Sequence, residues 1–332
     1  MDRRHGDLDP SNAPTLHLIS LASMQAVGVL MAVLSIGITL GRLFLRWRAL
    51  RRFLLDDYFN AAAAILVLPF MVVSLLYLPI EYNIQLVYLG LSDKQPTLEE
   101  TIWVTKLSAV VVLLFWLIIY FAKASFLALY WQIFAISPRF RVLWWIVAVF
   151  TALCFLVTWI SSFWACGHPS KYLDFEACQL VDPVIPTRLV IIWCSLHVIS
   201  SIMLMVLPLL MTSRLLKLGF REKVALIFVF GLVLIDVAFD VVRTTYSLSP
   251  DLSVGTNLSV LWTYMEPTVA VIVCALPHYK ALISRKNEES RSNTTGSNNT
   301  RTKITQPTTI PTELDNVSAY SLDSRGQVYR VV

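Results

Sequence analysis

Seven long apolar runs limit what this chain can fold into more than any other feature. They cover residues 18–40, 58–80, 102–129, 142–164, 188–210, 224–246 and 258–277. Each run has the roughly 20 residues that a helix needs to cross about 30 Å of hydrocarbon. Hydrophobic residues make up 56% of the chain and charged residues only 15%, which argues against a water-soluble enzyme. The sequence therefore predicts an all-α membrane protein, a bundle of seven transmembrane helices.

Lysine and arginine cluster on one side of the predicted membrane and so set its orientation. Fifteen of them fall in segments 41–57, 137–141, 211–223 and the first part of the tail, whereas the opposite side holds five. Basic residues near helix ends are retained in the cytoplasm. We therefore expect an extracellular N-terminus and a cytoplasmic C-terminus in a multi-pass protein of the plasma membrane. These short basic clusters form no continuous surface, so membrane lipid is an expected partner and nucleic acid is not.

The polar ends of the chain flank this membrane domain, which we place at 18–284. Residues 1–17 form a short extracellular N-terminus without the apolar core of a cleavable signal, so the first span should serve as the anchor. Residues 285–332 are rich in Ser, Thr and Asn with few large apolar side chains, and we expect a disordered cytoplasmic tail.

Cys166 and Cys178 lie between the fourth and fifth spans, on the side that we expect to mature in an oxidising compartment. The pair favours a disulfide, while a loop too mobile for bonding geometry would leave two free thiols. A disulfide would hold this loop as a lid over the outer end of the bundle.

Three ionisable residues follow one face of the sixth span. At 100° per residue, Asp236, Asp240 and Arg243 fall within about 60° of arc, and Glu266 enters from the seventh span at a depth where it could meet them. Ionisable side chains in hydrocarbon cost several kcal/mol and are candidate functional groups. One interpretation is that Arg243 pairs with Asp240 and the stripe only holds the two helices together. The other is a ligand or ion cavity.

His197 and Ser201 in the fifth span complete the candidate ligand site. The full set is His197, Ser201, Asp236, Asp240, Arg243 and Glu266. Three carboxylates against one arginine require that one carboxyl is protonated or matched by a cation, for which protonated His197, Lys106 or a bound ligand are candidates.

Two further features bear on chemistry inside the membrane. Lys123 near the inner third of the third span favours a lysine that reaches to the cytoplasmic interface, with a functional counter-ion as the alternative. Only His197 of the five histidines lies well inside the bundle, so we expect neither a metal site nor a haem.

An ordered series of short motifs resembles the fungal rhodopsin-like seven-helix domain family, which includes Pth-type surface-sensing receptors and the membrane protein of the satratoxin cluster. The matching residues are Gly41, Arg42, Arg51, Arg52, Asp56, Asp57, Tyr58, Lys123, Ser125, Tyr130, Phe134, Cys166, Cys178, Leu207, Pro208, Phe230, Gly231, Arg243, Trp262, Glu266 and Pro277. Two departures stand out: Ser201 takes the place of an aspartate frequent in the family, and Asp236 and Asp240 are unusual.

The resemblance implies a receptor, with coupling to a G protein resting on family analogy alone. It does not imply light sensing. A retinal Schiff base needs a lysine amine deep in the last helix, and residues 258–277 contain none, so we expect no retinal and no other cofactor.

Two functions remain open from the sequence. The leading hypothesis is a non-enzymatic receptor or sensor whose small ligand enters beneath the Cys166–Cys178 loop and contacts the fifth to seventh spans. The alternative is a membrane protein of a secondary-metabolite biosynthetic cluster, either a transporter or an enzyme that protonates its substrate through Asp236, Asp240 or Glu266.

Overall fold

The computed structural model describes residues 19–88, 90–134, 138–182, 184–214, 231, 234–245, 259–277, 279, 320–322 and 328–330. Its helices are α1 (Leu21–Leu50), α2 (Leu55–Tyr88), α3 (Leu98–Phe134), α4 (Pro138–Ser162), α5 (Phe175–Gln179), α6 (Val184–Arg214), α7 (234–245) and α8 (Ser259–Pro277). A 3-10 helix at Pro169–Lys171 precedes the short α5. All of these belong to a unit that covers Met1–Ile283.

Six of the described helices are long and apolar enough to cross a membrane, namely α1, α2, α3, α4, α6 and α8. Of the sixth predicted span, 224–246, residues 231 and 234–245 are described, and they are helical. The multi-pass helical membrane fold is therefore confirmed. Seven crossings and the orientation of the termini stay predictions.

The second unit, Ser284–Val332, contains a two-stranded antiparallel sheet. Strand β1 (Tyr320–Leu322) pairs with β2 (Val328–Arg330), with Ser321 opposite Tyr329. Most of this unit lies outside the described residues, as do residues 1–17, so the expected disorder of the tail remains a prediction.

The apolar surface of the first unit faces outward, as lipid requires. Leu30, Ile65 and Val142 are each more than 60% exposed within the bundle, and a water-soluble fold would not display so many large apolar side chains. The most apolar stretch of α8 is 56% buried, against 22% for α1, α4 and α6. Helix α8 therefore lies at the centre of the bundle.

Helix α1 is longer than the sequence predicted, and this changes the role of its arginines. We expected a cytoplasmic loop over 41–57, but α1 continues to Leu50, where Arg51 ends it in the left-handed conformation at φ 50°. The N–H of Arg51 donates to the carbonyl of Trp47 at 2.9 Å. Arg42 and Arg46 are therefore helical and buried rather than solvated in a loop.

Helix α3 is a long helix that contributes side chains to the interior of the bundle. Its 37 residues span about 55 Å, well beyond the hydrocarbon thickness, so it must tilt or project from the membrane. It packs against α2, α4 and α6. Along its length, Phe115 and Lys123 contact one of the two charge clusters described below, and Gln132 contacts the other.

Candidate functional site

The loop between α4 and α6 is closed by a disulfide between Cys166 and Cys178, which confirms the predicted bond. Their Cα atoms lie 4.7 Å apart. Inside this loop the hydroxyl of Tyr172 donates to the carbonyl of Ala109 in α3 at 3.2 Å. Burial raises the pKa of Tyr172 to about 12, so the phenol keeps its proton near neutral pH and remains a donor. The loop is thus fastened to the disulfide end of α3.

Six ionisable side chains from four helices meet deeper in the bundle, and we call them the polar core. They are Lys123 of α3, His197 of α6, Asp236, Asp240 and Arg243 of α7, and Glu266 of α8. Five of the six were predicted as ligand-site residues. The sixth, Lys123, was not, and the structure overturns the interpretation that we favoured for it.

Arg243 holds two carboxylates at the outer edge of the polar core, the edge toward the disulfide loop. Its Nη2 donates to Asp240 Oδ1 at 2.6 Å and its Nε to Glu266 Oε2 at 2.7 Å. The guanidinium also lies over the ring of Phe115 in α3, 4.9 Å from its centroid. The predicted pairing with Asp240 is present, and Glu266 joins it, so Arg243 links α7 to α8.

Lys123 does not reach toward the membrane surface. Only 4% of the residue is exposed, and its Nζ donates to Ser200 Oγ at 2.6 Å and to the carbonyl of His197 at 3.0 Å. An ammonium in hydrocarbon is costly, and two nearby acceptors on α6 are within its reach. Lys123 therefore ties α3 to α6. Lys106, which we considered as a counter-cation, is instead exposed and lines an outer groove beside the disulfide loop.

His197 and Asp236 form the loosest contact of the polar core. His197 Nε2 lies 3.4 Å from Asp236 Oδ2, in range for an ion pair when the imidazole is protonated. Ser201 Oγ donates to the same oxygen at 3.4 Å. The imidazole is fully buried and stands 6.3 Å from the ring of Trp116, centre to centre. These long distances leave Asp236 weakly held compared with Asp240 and Glu266.

A narrow cavity adjoins this loose contact. Its volume is about 20 Å³, which is room for one water molecule. The lining is apolar apart from the polar groups of Lys123, Tyr130, Ser201 and Asp236. The described residues that form it are Ile119, Ala122, Lys123, Phe126, Tyr130, Ser201, Leu204, Asp236, Ala270 and Val273. The polar groups of Lys123, Ser201 and Asp236 thus border an otherwise mainly apolar cavity.

Hydrogen bonding in the polar core is incomplete among the residues that the structure describes. Asp236 Oδ1, Asp240 Oδ2 and Glu266 Oε1 are buried without a hydrogen-bond partner, so each carboxylate has one unused oxygen. The two cations, Lys123 and Arg243, face three carboxylates. With all three carboxyls ionised and His197 neutral, the described polar core carries one excess negative charge.

A second buried charge cluster, which we call the arginine clamp, lies at the opposite end from the disulfide. It comprises Arg42, Arg46, Asp56, Asp57 and Gln132. Arg42 Nη2 donates to Asp56 Oδ2 at 2.6 Å, and Arg46 Nη1 donates to the same oxygen at 2.6 Å. Arg42 Nη1 also donates to the carbonyl of Cys274 at 3.0 Å. The clamp thus joins α1 and α2 to α8.

Every carboxylate oxygen of the arginine clamp has a partner. Asp57 Oδ1 accepts from both arginines, while its Oδ2 accepts from the backbone N–H of Leu54 at 3.1 Å and so caps the start of α2. Asp56 Oδ1 accepts from Gln132 Nε2 of α3 at 2.6 Å. Both aspartates also sit in the first turn of α2, where the helix dipole favours negative charge.

The cavity lies between the two charge clusters. Along α8 the order is Glu266 of the polar core, then Ala270 and Val273 of the cavity wall, then Cys274, whose carbonyl meets the clamp. From Glu266 to Cys274 the helix rises about 12 Å. Lys123 and Asp236 of the polar core therefore line the cavity, whereas the clamp lies farther along α8 and does not line it.

Two further motif residues, Trp262 and Pro208, belong to neither cluster. Trp262 packs edge-on against Phe239 of α7, with centroids 4.7 Å apart, and Pro208 is buried inside α6. Sequence reasoning missed Ser200 and Gln132, because each has meaning only through a helix distant in sequence. The sequence offers only a serine or a glutamine beside an apolar run as a signal, and that pattern is too common to identify Ser200 or Gln132 as a site residue.

A family model described as the fungal rhodopsin domain matches residues 41–285. No curated protein and no solved structure matches the sequence. The matched segment begins at the residue before Arg42 and extends beyond α8, so it contains both charge clusters and the disulfide.

Proposed function

The chain belongs to the fungal rhodopsin domain family, and we propose that it is a receptor of the plasma membrane that responds to a small ligand. The observation that carries this proposal is the incomplete pairing of the polar core. Buried carboxylates without full hydrogen bonding are costly in an apolar environment, and a group that served packing alone would not need them.

The contacts of the polar core suggest how a ligand would act. Arg243 joins α7 to α8, and Lys123 joins α3 to α6. A ligand that competes for these groups would loosen one pair of helices relative to another and so bias the packing of the bundle. Segment 211–223, which begins in the last turn of α6, would carry the change to the cytoplasmic side; most of it lies outside the described residues.

The size of the cavity adds a requirement to this proposal. Room for one water cannot hold an organic molecule, so the ligand must bind a more open arrangement of α3, α6 and α7 than the one described. Entry from the disulfide end would bring it first to Arg243 and then to Asp236. A partner G protein is proposed by family analogy alone, and no retinal is proposed because α8 contains no lysine.

The test is ligand-induced stabilisation together with a cellular response. Purified protein should unfold at a higher temperature with its ligand, and deletion of the gene should change a downstream signal on exposure to the same compound. Glu266→Gln should weaken both effects, whereas Glu99→Gln on the exposed start of α3 should leave them unchanged. Absence of stabilisation by every compound tested, with no signalling change on deletion, would contradict a receptor.

Transport or acid catalysis in a biosynthetic cluster is the second candidate. The observation in its favour is the narrow cavity lined by Lys123 and Asp236, two charged groups that an occluded substrate could contact. Amide variants of Asp236, Asp240 and Glu266 should then abolish the product or its export. Unchanged metabolite profiles in all three variants would exclude this candidate.

A further inference from the structure

The unused hydrogen-bonding capacity of the three carboxyl groups in the polar core has one chemical character. The three orphaned carboxyl atoms, on Asp236, Asp240 and Glu266, are oxygens that accept hydrogen bonds when ionised. The donors of the two cations are already occupied: Lys123 Nζ has two acceptors, and Arg243 has two carboxylates. A ligand that completes the hydrogen bonding of the carboxyl groups must therefore bring N–H or O–H donors. His197, whose ring nitrogens also lack a hydrogen-bond partner, can either donate or accept.

The charge balance points the same way. When all three carboxyls are ionised, they outnumber Lys123 and Arg243 by one, and burial in hydrocarbon penalises any charge that is not compensated. An anionic ligand would raise the excess to two negative charges. A monovalent cation would remove it.

The cavity wall supplies the third requirement. Asp236 opens onto a space whose other walls are mainly aromatic and aliphatic, among them Phe126, Leu204 and Val273. A cationic donor at Asp236 would therefore leave the rest of its molecule among apolar side chains. An inorganic ion would leave that lining unused, and among the described residues no group of His, Cys, Asp and Glu side chains could hold a metal ion.

We propose that the polar core binds an organic cation, a protonated amine attached to an apolar body, with Asp236 as its principal counter-ion. This inference rests on the proposed receptor function and names the class of its ligand. The same site would serve equally if the chain transported such an amine.

Proton uptake is the competing way to neutralise the core. The titratable and charged groups that face one another here are Lys123 and Tyr120 from α3, Cys154 from α4, His197 and Cys194 from α6, Asp236, Asp240 and Arg243 from α7, and Glu266 from α8. A proton bound on His197 or on a carboxyl removes the excess charge that attracts the amine. Amine affinity should therefore fall as the pH is lowered.

The experiment compares three probes of one shape: 2-phenylethylamine, the neutral 2-phenylethanol and the anionic 3-phenylpropionate. Full-length protein in lipid nanodiscs is unfolded by heat with each probe at increasing concentration. We expect the amine to raise the unfolding temperature, more at higher pH, and the alcohol and acid to have little effect. Asp236→Asn should weaken amine binding at least tenfold, whereas Glu99→Gln should leave it unchanged.

Folding of the key variant is controlled within the same experiment. Without probe, Asp236→Asn should unfold at or above the temperature of the unsubstituted protein, because it removes the excess charge and loses only long contacts. Stabilisation by the alcohol or acid equal to that by the amine would overturn the ligand class, as would no stabilisation by the amine. Amine binding that depends on Asp236 without a cellular response would support the ligand class while contradicting the receptor function.

Discussion

The arginine clamp and the polar core both pair buried cations with carboxylates, but they differ in how many carboxylate oxygens accept hydrogen bonds. In the clamp two arginines face two aspartates, and all four carboxylate oxygens accept hydrogen bonds. In the polar core two cations face three carboxylates, and each carboxylate keeps one unused oxygen. Buried ion pairs are stabilising only when their remaining hydrogen bonds are satisfied. The comparison therefore assigns a structural role to the clamp and leaves the core as the site that a ligand can complete.

Arg42→Gln should produce the largest loss of stability, because it leaves Asp56 and Asp57 buried with half of their positive charge removed. Removal of one partner from a buried pair costs about 3–5 kcal/mol. Thermal unfolding in detergent should show the loss, with Arg48→Gln as the control, since Arg48 is exposed near the end of α1. Equal stability of the two variants would show that the clamp does not hold the helices.

Lys123→Met should lower the free energy of unfolding by less, about 2 kcal/mol, because the direct partners of Lys123 are a carbonyl and a hydroxyl rather than a carboxylate. It would also raise the negative excess of the core to two. Adding Asp236→Asn restores the original excess, so the double variant should be more stable than Lys123→Met alone. A double variant that is less stable than either single one would contradict the charge balance that we assign to the core.

Gly41→Ala, next to the clamp residue Arg42, should have a smaller effect and lower the free energy of unfolding by about 1–2 kcal/mol. A Cβ at position 41 would overlap the hydroxyl of Tyr279, which donates to the carbonyl of Ile38 at 2.6 Å. Tyr279→Phe should relieve the overlap and recover part of the loss.

Gly37→Ala is the matched control for this prediction. It lies one turn earlier in α1, meets no atom within 4 Å, and should be neutral or slightly stabilising because alanine favours the helix. Similar losses at both glycines in unfolding measurements would show that helix geometry, rather than contact with Tyr279, limits position 41.

The membrane fold could be predicted from the sequence because a long apolar run carries its own signal. The disulfide also followed from local context, and the pairing of Arg243 with Asp240 from their spacing by one turn. The clamp could not be predicted, because Arg42 meets Cys274 only after α1 and α8 have packed. The sequence alone does not distinguish Arg42 from an arginine in a solvated loop.

Lys123 shows the same limit inside the membrane. A long basic side chain in a span can extend to the interface or turn inward, and its own sequence surroundings fit both. The acceptors that decide the outcome, Ser200 and the carbonyl of His197, belong to α6. Their position depends on helix packing that apolar patterning alone does not specify.

The most direct test of the difference between the two clusters is the thermal unfolding of Asp57→Asn and Asp236→Asn, measured side by side in the same detergent. Each substitution removes one buried carboxylate charge and nearly preserves volume. We predict that Asp57→Asn unfolds at a clearly lower temperature than the unsubstituted protein, whereas Asp236→Asn unfolds at the same temperature or above it. An equal decrease in unfolding temperature for the two variants would contradict this difference, because the Asp236 carboxylate would then stabilise the fold as much as the Asp57 carboxylate does.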